Sequence, residues 1–252
     1  MSNYGDRPPN LYSGYQTPRR RHRGRKAVVW VVVVLALLVG LDFGAKAFAE
    51  NEAAIQIQKH GFPAKPTVVI AGFPFLTQVI TRHFQQITIS SGKFPAGPVT
   101  VSKLNVVADN VHLNSSFKGG TAGPLNGTIL ISLGELGKVL SDAGSIASLL
   151  GDGKQTLQIS AVGGNEVKAS LNLIGGVLSE SATWQVQTDG PHQINLHLIS
   201  SSGITGTLLG SVSNIAIPLP SLPAGLQLTG GLNSSASGIT AHVYASSLSF
   251  GS

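Results

Sequence analysis

Serine and lysine residues at one point of the chain carry the spacing of a known acyl-transfer site. Ser90 and Lys93 match the S-x-x-K pattern, in which the serine is the nucleophile of penicillin-binding enzymes and β-lactamases. That chemistry needs the serine to open a helix, so that the lysine one turn further on faces the same side. Here Ser90 ends a β-rich run, and the chain continues into Gly-Lys-Phe-Pro. The two side chains are therefore not expected to meet, and the pattern does not predict acyl transfer.

The seven histidines and the sparse carboxylates give no metal or acid–base signature. The chain contains no H-E-x-x-H motif, and no histidine has a carboxylate three or four residues away on a predicted helix. Cysteine is absent, which excludes thiolate metal ligands and cysteine nucleophiles. The G-x-S-x-G, P-loop and G-x-G-x-x-G motifs are absent as well. We therefore predict a protein that is not an enzyme, with no catalytic residue, no metal and no cofactor.

The net charge of the chain is concentrated at its N-terminus. The 252 residues carry a formal charge of +6, and residues 1–26 hold seven basic residues against one acidic residue. The later part of the chain therefore has as many acidic as basic residues. A body without a basic face does not neutralise phosphates, so we predict no nucleic-acid partner. Apolar residues make up 42% of the chain and charged residues only 11%, which excludes disorder of the whole chain.

A basic block followed by an uncharged apolar run predicts a segment directed to the cytoplasmic membrane. Residues 19–26 read RRRHRGRK, and residues 27–41 read AVVWVVVVLALLVGL. Because basic residues mark the cytoplasmic flank of such a segment, we expect the N-terminus inside and the C-terminal domain outside. Residues 1–26 are expected to form a disordered basic cytoplasmic tail.

Two interpretations of the apolar run stay open, an uncleaved anchor and a cleaved signal sequence. Its fifteen residues span about 22 Å as a helix, less than the roughly 30 Å of a hydrocarbon core. Ala47-Phe48-Ala49 is an A-x-A site whose cleavage before Glu50 would leave a secreted or periplasmic protein. Residues 27–49 would instead span about 34 Å as one helix, with Asp42 and Lys46 able to pair near its far end. The 26 residues before the apolar run are long for the basic region of a signal sequence, which favours the anchor. We assign residues 27–49 to a transmembrane helix or signal segment and residues 50–252 to the extracytoplasmic domain.

Beyond residue 66, short β-rich runs alternate with glycine, serine and asparagine breaks, which predicts a strand-rich domain. The predicted strands are 67–71, 84–90, 99–113, 125–133, 156–162, 166–174, 177–187, 193–199, 225–232 and 238–250. The proline-rich residues 215–223 are predicted to be an extended edge segment, and residues 119–127 a flexible connection. Such a charge-poor body fits a curved sheet around a helix and an apolar ligand, and it also fits an ordinary sandwich.

Three helical stretches are predicted beside these strands. Residues 44–60 show a stripe of small and apolar side chains at Ala45, Ala49, Ala53 and Ile57. Residues 73–80 form a short helix with a proline in its first turn. Residues 136–150 have apolar residues at helical spacing after an S-x-x-E capping box at residues 132–135. A further short helix is predicted at residues 206–214.

Two segments of the chain resemble the LmeA-like phospholipid-binding family of actinobacteria. They are GFPFLTQVITRHFQQITI, residues 72–89, and IPLPSLPAGLQLTGGLNSSASGITAHVYASSLSF, residues 217–250. The resemblance implies an α+β fold of the tubular lipid-binding type, with a strongly curved antiparallel β-sheet wrapped around a helix. It also implies phospholipid binding on the outer side of the cytoplasmic membrane, connected with building envelope lipids or lipoglycans. Only Phe73, Pro74, Phe75 and Leu76 carry over as motif positions, and no catalytic motif does.

The predicted helices at residues 73–80 and 136–150 are expected to line a lipid cavity on the concave side of the sheet. The candidate lining residues are Phe73, Phe75, Leu76, Ile80, Val139, Leu140 and Ile146. Two other hypotheses stay open. One is a structural or partner-binding envelope protein with a filled core and no ligand cavity. The other is an enzyme that acts on envelope lipids or glycans, which would need a convergent pair of histidines or carboxylates in such a cavity.

Overall fold

The computed structural model describes residues 23–59, 62, 64–142, 157–173, 178–202, 213–220 and 222–251. In chain order the elements are α1 (Arg23–Lys59), β1 (Thr67–Ile70), α2 (Phe75–Thr81), β2 (His83–Ser91), β3 (Phe94–Ala96), β4 (Val99–Val101), β5 (Lys103–Leu113), β6 (Gly120–Ala122), β7 (Leu125–Ile131), α3 (Leu133–Asp142), β8 (Leu157–Gly163), β9 (Glu166–Leu173), β10 (Leu178–Thr188), β11 (Gln193–Ser202), β12 (Asn214–Pro218), β13 (Gln227–Leu228), β14 (Asn233–Ser235), β15 (Gly238–Ala245) and β16 (Leu248–Phe250). A turn of 3₁₀ helix spans Pro223–Gly225. The chain divides into two compact units, residues 1–41 and residues 42–252.

The first unit contains the apolar half of α1. Every residue from Val28 to Leu41 is exposed, as expected for a helix whose side chains would face lipid. The part of α1 from Val28 to Lys59 is long and apolar enough to cross a membrane, and a signal sequence has the same length and composition. The helix thus fits both interpretations of the apolar run.

The second unit is built on two antiparallel sheets. Nine strands form the larger one, in which the main path is β1-β2-β5-β7-β15-β13 and β6, β14 and β16 pair at its margins. Five strands form the other in the order β12-β11-β10-β9-β8, and β3 and β4 form a separate hairpin. The proline-rich segment after residue 214 lies at the edge of the five-stranded sheet, because a proline cannot donate to a ladder on both sides.

One apolar core joins the two sheets, and α3 packs into it. The five-stranded sheet presents a continuous apolar face, because its side chains alternate between the core and solvent as the sequence predicts. Register places Trp184 beside Val167 and Leu198, and Leu196 beside Ile215. Helix α3 contacts β8 on this sheet and β15 on the nine-stranded sheet. The predicted α+β class with antiparallel strands is therefore confirmed, and about half of the described residues lie in strands.

The expected curved wrap around a helix is not confirmed. The described strands are divided between separate sheets. Neither large sheet is closed by these strands, since β1 and β13 end the main path of one while β12 and β8 are the edges of the other. The predicted strand 99–113 is interrupted at Ser102, whose backbone N–H turns to the carbonyl of Leu130. The predicted flexible connection 119–127 instead contains β6 and the start of β7. The predicted strand 225–232 is reduced to two paired residues. Residues 1–22, the second half of the predicted helix 136–150, and residues 206–212 lie outside the described residues.

Candidate functional site

The second half of α1, residues 42–59, is attached to the sheet domain by hydrogen bonds from polar side chains. Asp42 is buried, and its carboxylate accepts the backbone N–H of Phe75 at 2.9 Å and of Leu76 at 2.8 Å. The residue before α2 is Pro74, which has no side chain that could accept these bonds. Asp42 therefore supplies the cap that α2 lacks in its own sequence.

Further contacts continue this attachment along α1. The Glu50 carboxylate accepts the backbone N–H of Ile70 at 2.8 Å, on the edge strand β1. Lys65 donates to the side-chain oxygen of Asn51 at 2.8 Å. The predicted stripe of Ala45, Ala49, Ala53 and Ile57 packs against the core, where the small alanines allow close approach. Residues 42–59 are thus an integral part of the domain.

The expected pair between Asp42 and Lys46 is replaced by a different pair. Lys46 lies 3.8 Å from Glu50, while both oxygens of Asp42 are occupied by α2. Sequence reasoning missed this role because helical spacing pairs Asp42 with a residue on its own helix. The available signal was an acidic residue directly after an apolar run, where an unpaired charge would be costly.

The four predicted site residues around α2 face two ways. Phe75 is buried and stacks at a tilt on Phe84, with ring centroids 6.1 Å apart. Phe73, Leu76 and Ile80 are exposed, with 62%, 39% and 81% of their surface accessible. The structure thus places one of the four in the core and three on the outside.

The predicted site residues on α3 are described only in part. Leu140 is fully buried, Val139 is half-buried, and Ile146 lies outside the described residues. Gly137 comes close to β8, since a Cβ there would lie 3.3 Å from the Ile159 side chain. Val139 of α3 and Leu157 and Ile159 of β8 are half-buried apolar residues that each pack against the core, and we call them the margin of α3 and β8. That the residues of α2 and α3 line one lipid cavity stays a prediction.

Only half of the predicted capping box is present at the start of α3. The Ser132 hydroxyl accepts the backbone N–H of Glu135 at 3.3 Å. The Glu135 carboxylate instead accepts the backbone N–H of Thr100 at 3.2 Å and the Lys138 ammonium at 2.7 Å. The hydrogen bond from Lys138 holds the pKa of Glu135 below its ordinary value, against an opposing effect of burial. Glu135 thereby links α3 to β4.

A shallow cleft of about 200 Å³ lies where the two large sheets meet. It is lined by Asn165, Val186, Gln187, Thr188, Gly230, Gly231 and Leu232. Backbone hydrogen bonds from Leu228 to Pro191 and from Ser234 to Gly164 hold the sheets together here. The cleft is smaller than the roughly 300–1,000 Å³ of small-molecule sites. A phospholipid does not fit into it.

The polar groups with catalytic potential do not assemble into a reaction centre within the described residues. Ser90 donates to the side-chain oxygen of Asn105 at 2.9 Å, and Lys93 is exposed beyond the end of β2 rather than on a helix. Register brings His83 and His112 together as a stacked pair, with ring centroids 4.3 Å apart. No group of three histidine or acidic side chains in the described ranges is arranged to hold a metal ion.

The comparison with protein families decides the affiliation of the chain. A family model described as LmeA-like phospholipid-binding matches residues 40–243. The protein belongs to the LmeA-like phospholipid-binding family. This confirms the resemblance predicted from residues 72–89 and 217–250, and the family is a binding family rather than a known family of enzymes. Comparisons with curated proteins and with solved structures gave no match.

The family match begins close to the point where the domain begins. Its first residue is Gly40, and the compact unit starts at Asp42, whose side chain caps α2. The match leaves out the basic tail and most of the apolar run. The region that the family model matches therefore includes the second half of α1, residues 42–59.

Proposed function

We propose that this protein is a membrane-tethered, extracytoplasmic phospholipid-binding protein that takes part in building envelope lipids or lipoglycans. The observation that carries the proposal is the match of a phospholipid-binding family to residues 40–243. The apolar helix before this region supports the tether. The basic block at residues 19–26 supports an orientation with the domain outside the cytoplasmic membrane.

The acyl chains are proposed to lie against the half-buried apolar margin formed by α3 and β8. Val139, Leu157 and Ile159 are half-buried apolar residues of these two elements, and Leu136 and Leu140 of α3 are buried in the core. Burial of an acyl chain contributes about 0.8 kcal/mol for each CH₂ group. An unpaired charge on this surface would cost several kcal/mol, and the three side chains carry none.

The N-terminal helix is proposed to remain on the mature protein. Cleavage before Glu50 would remove Asp42 together with Ala45 and Ala49, which pack against the core. It would also remove the first ten residues of the family match. These contacts support an uncleaved anchor, whose membrane-embedded part ends near Leu41.

The test is native mass spectrometry of residues 40–252, purified without detergent and incubated with phospholipid vesicles. We expect a protein species that carries the mass of one or more phospholipids, together with transfer of a fluorescent phospholipid between vesicles. A spectrum that shows only the bare chain would contradict phospholipid binding.

The alternative is a partner-binding envelope protein without a ligand. The observation that favours it is the complete burial of Leu140 and Phe75 within one continuous core. A bare chain in the mass spectrum, with a stable fold, is the result expected for this alternative.

A further inference from the structure

One end of the nine-stranded sheet carries an unusual concentration of exposed apolar side chains. Five large apolar residues lie there: Phe43, Phe73, Leu76, Ile80 and Phe117, which we call the apolar end. Among the described residues from 42 onward, ten large apolar side chains are exposed, and the apolar end holds half of them. A cluster of this kind on a soluble surface marks an interaction site.

Contacts and register place these five residues at the same end of the sheet. The rings of Phe43 and Phe73 stack with centroids 6.1 Å apart. Leu76 donates its backbone N–H to Asp42, the neighbour of Phe43. Ile80 follows Leu76 by four residues, on the same face of α2.

Phe117 reaches the same end from a different loop. The backbone N–H of Leu113, at the end of β5, donates to the carbonyl of Arg82 directly after α2. Phe117 lies in the tight turn that follows, with a positive φ of 58° that is costly for an aromatic residue. This turn holds the ring outward, with 51% of its surface exposed.

The apolar surface of α2 extends from its buried face to part of its exposed face. The helix, FLTQVIT, bears no charged residue, and its inner face is also apolar through Phe75 and Val79. The polar residues of α2, which are Thr77, Gln78 and Thr81, lie on the other side of the helix, so the exposed Leu76 and Ile80 extend the buried apolar face outward. Exposed basic residues flank the apolar end, Arg82 after α2 and Lys118 after Phe117.

We propose that the apolar end dips into the interface of the phospholipid bilayer that holds the N-terminal helix. This inference rests on the tether of the proposed function. If the embedded run ends at Leu41, covalent geometry keeps Phe43 within about 8 Å of it. Apolar side chains with flanking lysine or arginine are suited to the boundary between acyl chains and anionic headgroups. A bilayer therefore fits this surface better than a second protein does.

Single-cysteine labelling of the full chain tests the proposal, because the native chain has no cysteine. The variants Ile80→Cys and Phe117→Cys are labelled with an environment-sensitive fluorophore and reconstituted into vesicles of phosphatidylcholine and phosphatidylglycerol. The matched control is Ser237→Cys, at an exposed position in the turn between β14 and β15. Register places that turn at the opposite end of the sheet, because Gly238 lies near the end of β7 while α2 lies near the start of β7.

We expect lipid-attached quenchers to reduce the fluorescence at positions 80 and 117 several-fold more than at position 237. Water-soluble iodide should give the reverse order. Labels at 80 and 117 that are as open to iodide as the control, in a chain that floats with the vesicles, would overturn this inference alone. Protection from both quenchers would indicate a protein partner or a second copy, and would also overturn it. A chain that does not float would contradict the tether, and this inference with it.

Discussion

The carboxylate of Asp42, near the middle of the longest helix, accepts the backbone N–H of Phe75 at the start of α2. The bond joins residues 33 positions apart, and a second bond to Leu76 completes the cap. Asp42 is also the first residue of the compact domain. A residue that the sequence places at the end of a membrane segment is thus a structural part of the folded domain.

Replacement of Asp42 by alanine is expected to destabilise the domain by about 2–3 kcal/mol. The change removes both hydrogen bonds to a charged group and leaves two backbone N–H groups of α2 without acceptors. The measurement is urea unfolding of residues 40–252. Trp184, fully buried and the only tryptophan in this fragment, serves as the fluorescent reporter.

Glu52→Ala is the matched control for this substitution. Glu52 is an exposed acid on the same helix, and its side chain bonds only to that of Gln56 among the contacts described for it. We expect its loss to cost no more than about 0.5 kcal/mol. Equal effects of the two substitutions would contradict the capping role of Asp42.

A chain that begins at Glu50 is expected to be less stable than one that begins at Gly40. It lacks the Asp42 cap and the packing of Ala45 and Ala49 on the core. Unfolding of the two fragments, followed through Trp184, measures the difference, which should amount to several kcal/mol. N-terminal sequencing of the protein from its native membrane is the companion measurement. Fragments of equal stability, or a native chain that starts at Glu50, would show that the helix is dispensable.

The ion pair between Glu135 and Lys138 at the start of α3 should make the free energy of unfolding depend on pH in the acid range. The pKa of Glu135 is lowered in the folded state, so its contribution is complete above the pKa of the unfolded chain. The contribution is lost as the pH falls through the folded pKa, which lies below the ordinary pKa of a glutamate. Glu135→Gln should therefore lower the free energy of unfolding at pH 7, by no more than about 1 kcal/mol because Lys138 is exposed. The difference from the parent should close in acid.

Lys138→Met tests the partner of that pair. It removes the ammonium that donates to Glu135 at 2.7 Å, and it should reproduce the pH dependence of Glu135→Gln. Unfolding curves from pH 7 to pH 3 measure both. If the difference in unfolding free energy between variant and parent stays unchanged in acid, the effect comes from packing and not from charge.

The sequence predicted most strands and the family because both depend on local patterns. Alternation of side chains places Leu196 and Ile194 on the buried face of β11, and the same rule worked for most strands. Local patterns do not determine how strands divide between sheets. The structure therefore has two large sheets where the sequence analysis predicted one curved sheet. The partner of Asp42 lies 33 residues away, and the stacked pair of His83 and His112 depends on strand register. Such long-range contacts are outside the reach of spacing arguments.

An acidic substitution on β8 should separate lipid binding from folding. Ile159 is half-buried beside α3, whereas its neighbour Gln158 is exposed on the opposite face of the same strand. Ile159→Asp places a charge where acyl chains are proposed to lie, at a cost of several kcal/mol to the bound lipid. Native mass spectrometry should therefore show loss of the phospholipid species for Ile159→Asp and its retention for Gln158→Asp.

Circular dichroism of both variants should match the parent, since β8 is an edge strand and Ile159 is not fully buried. Leu140→Asp, at a fully buried position, is expected to prevent folding and so cannot replace this pair. Retained lipid in a folded Ile159→Asp variant would place the lipid away from the margin of α3 and β8.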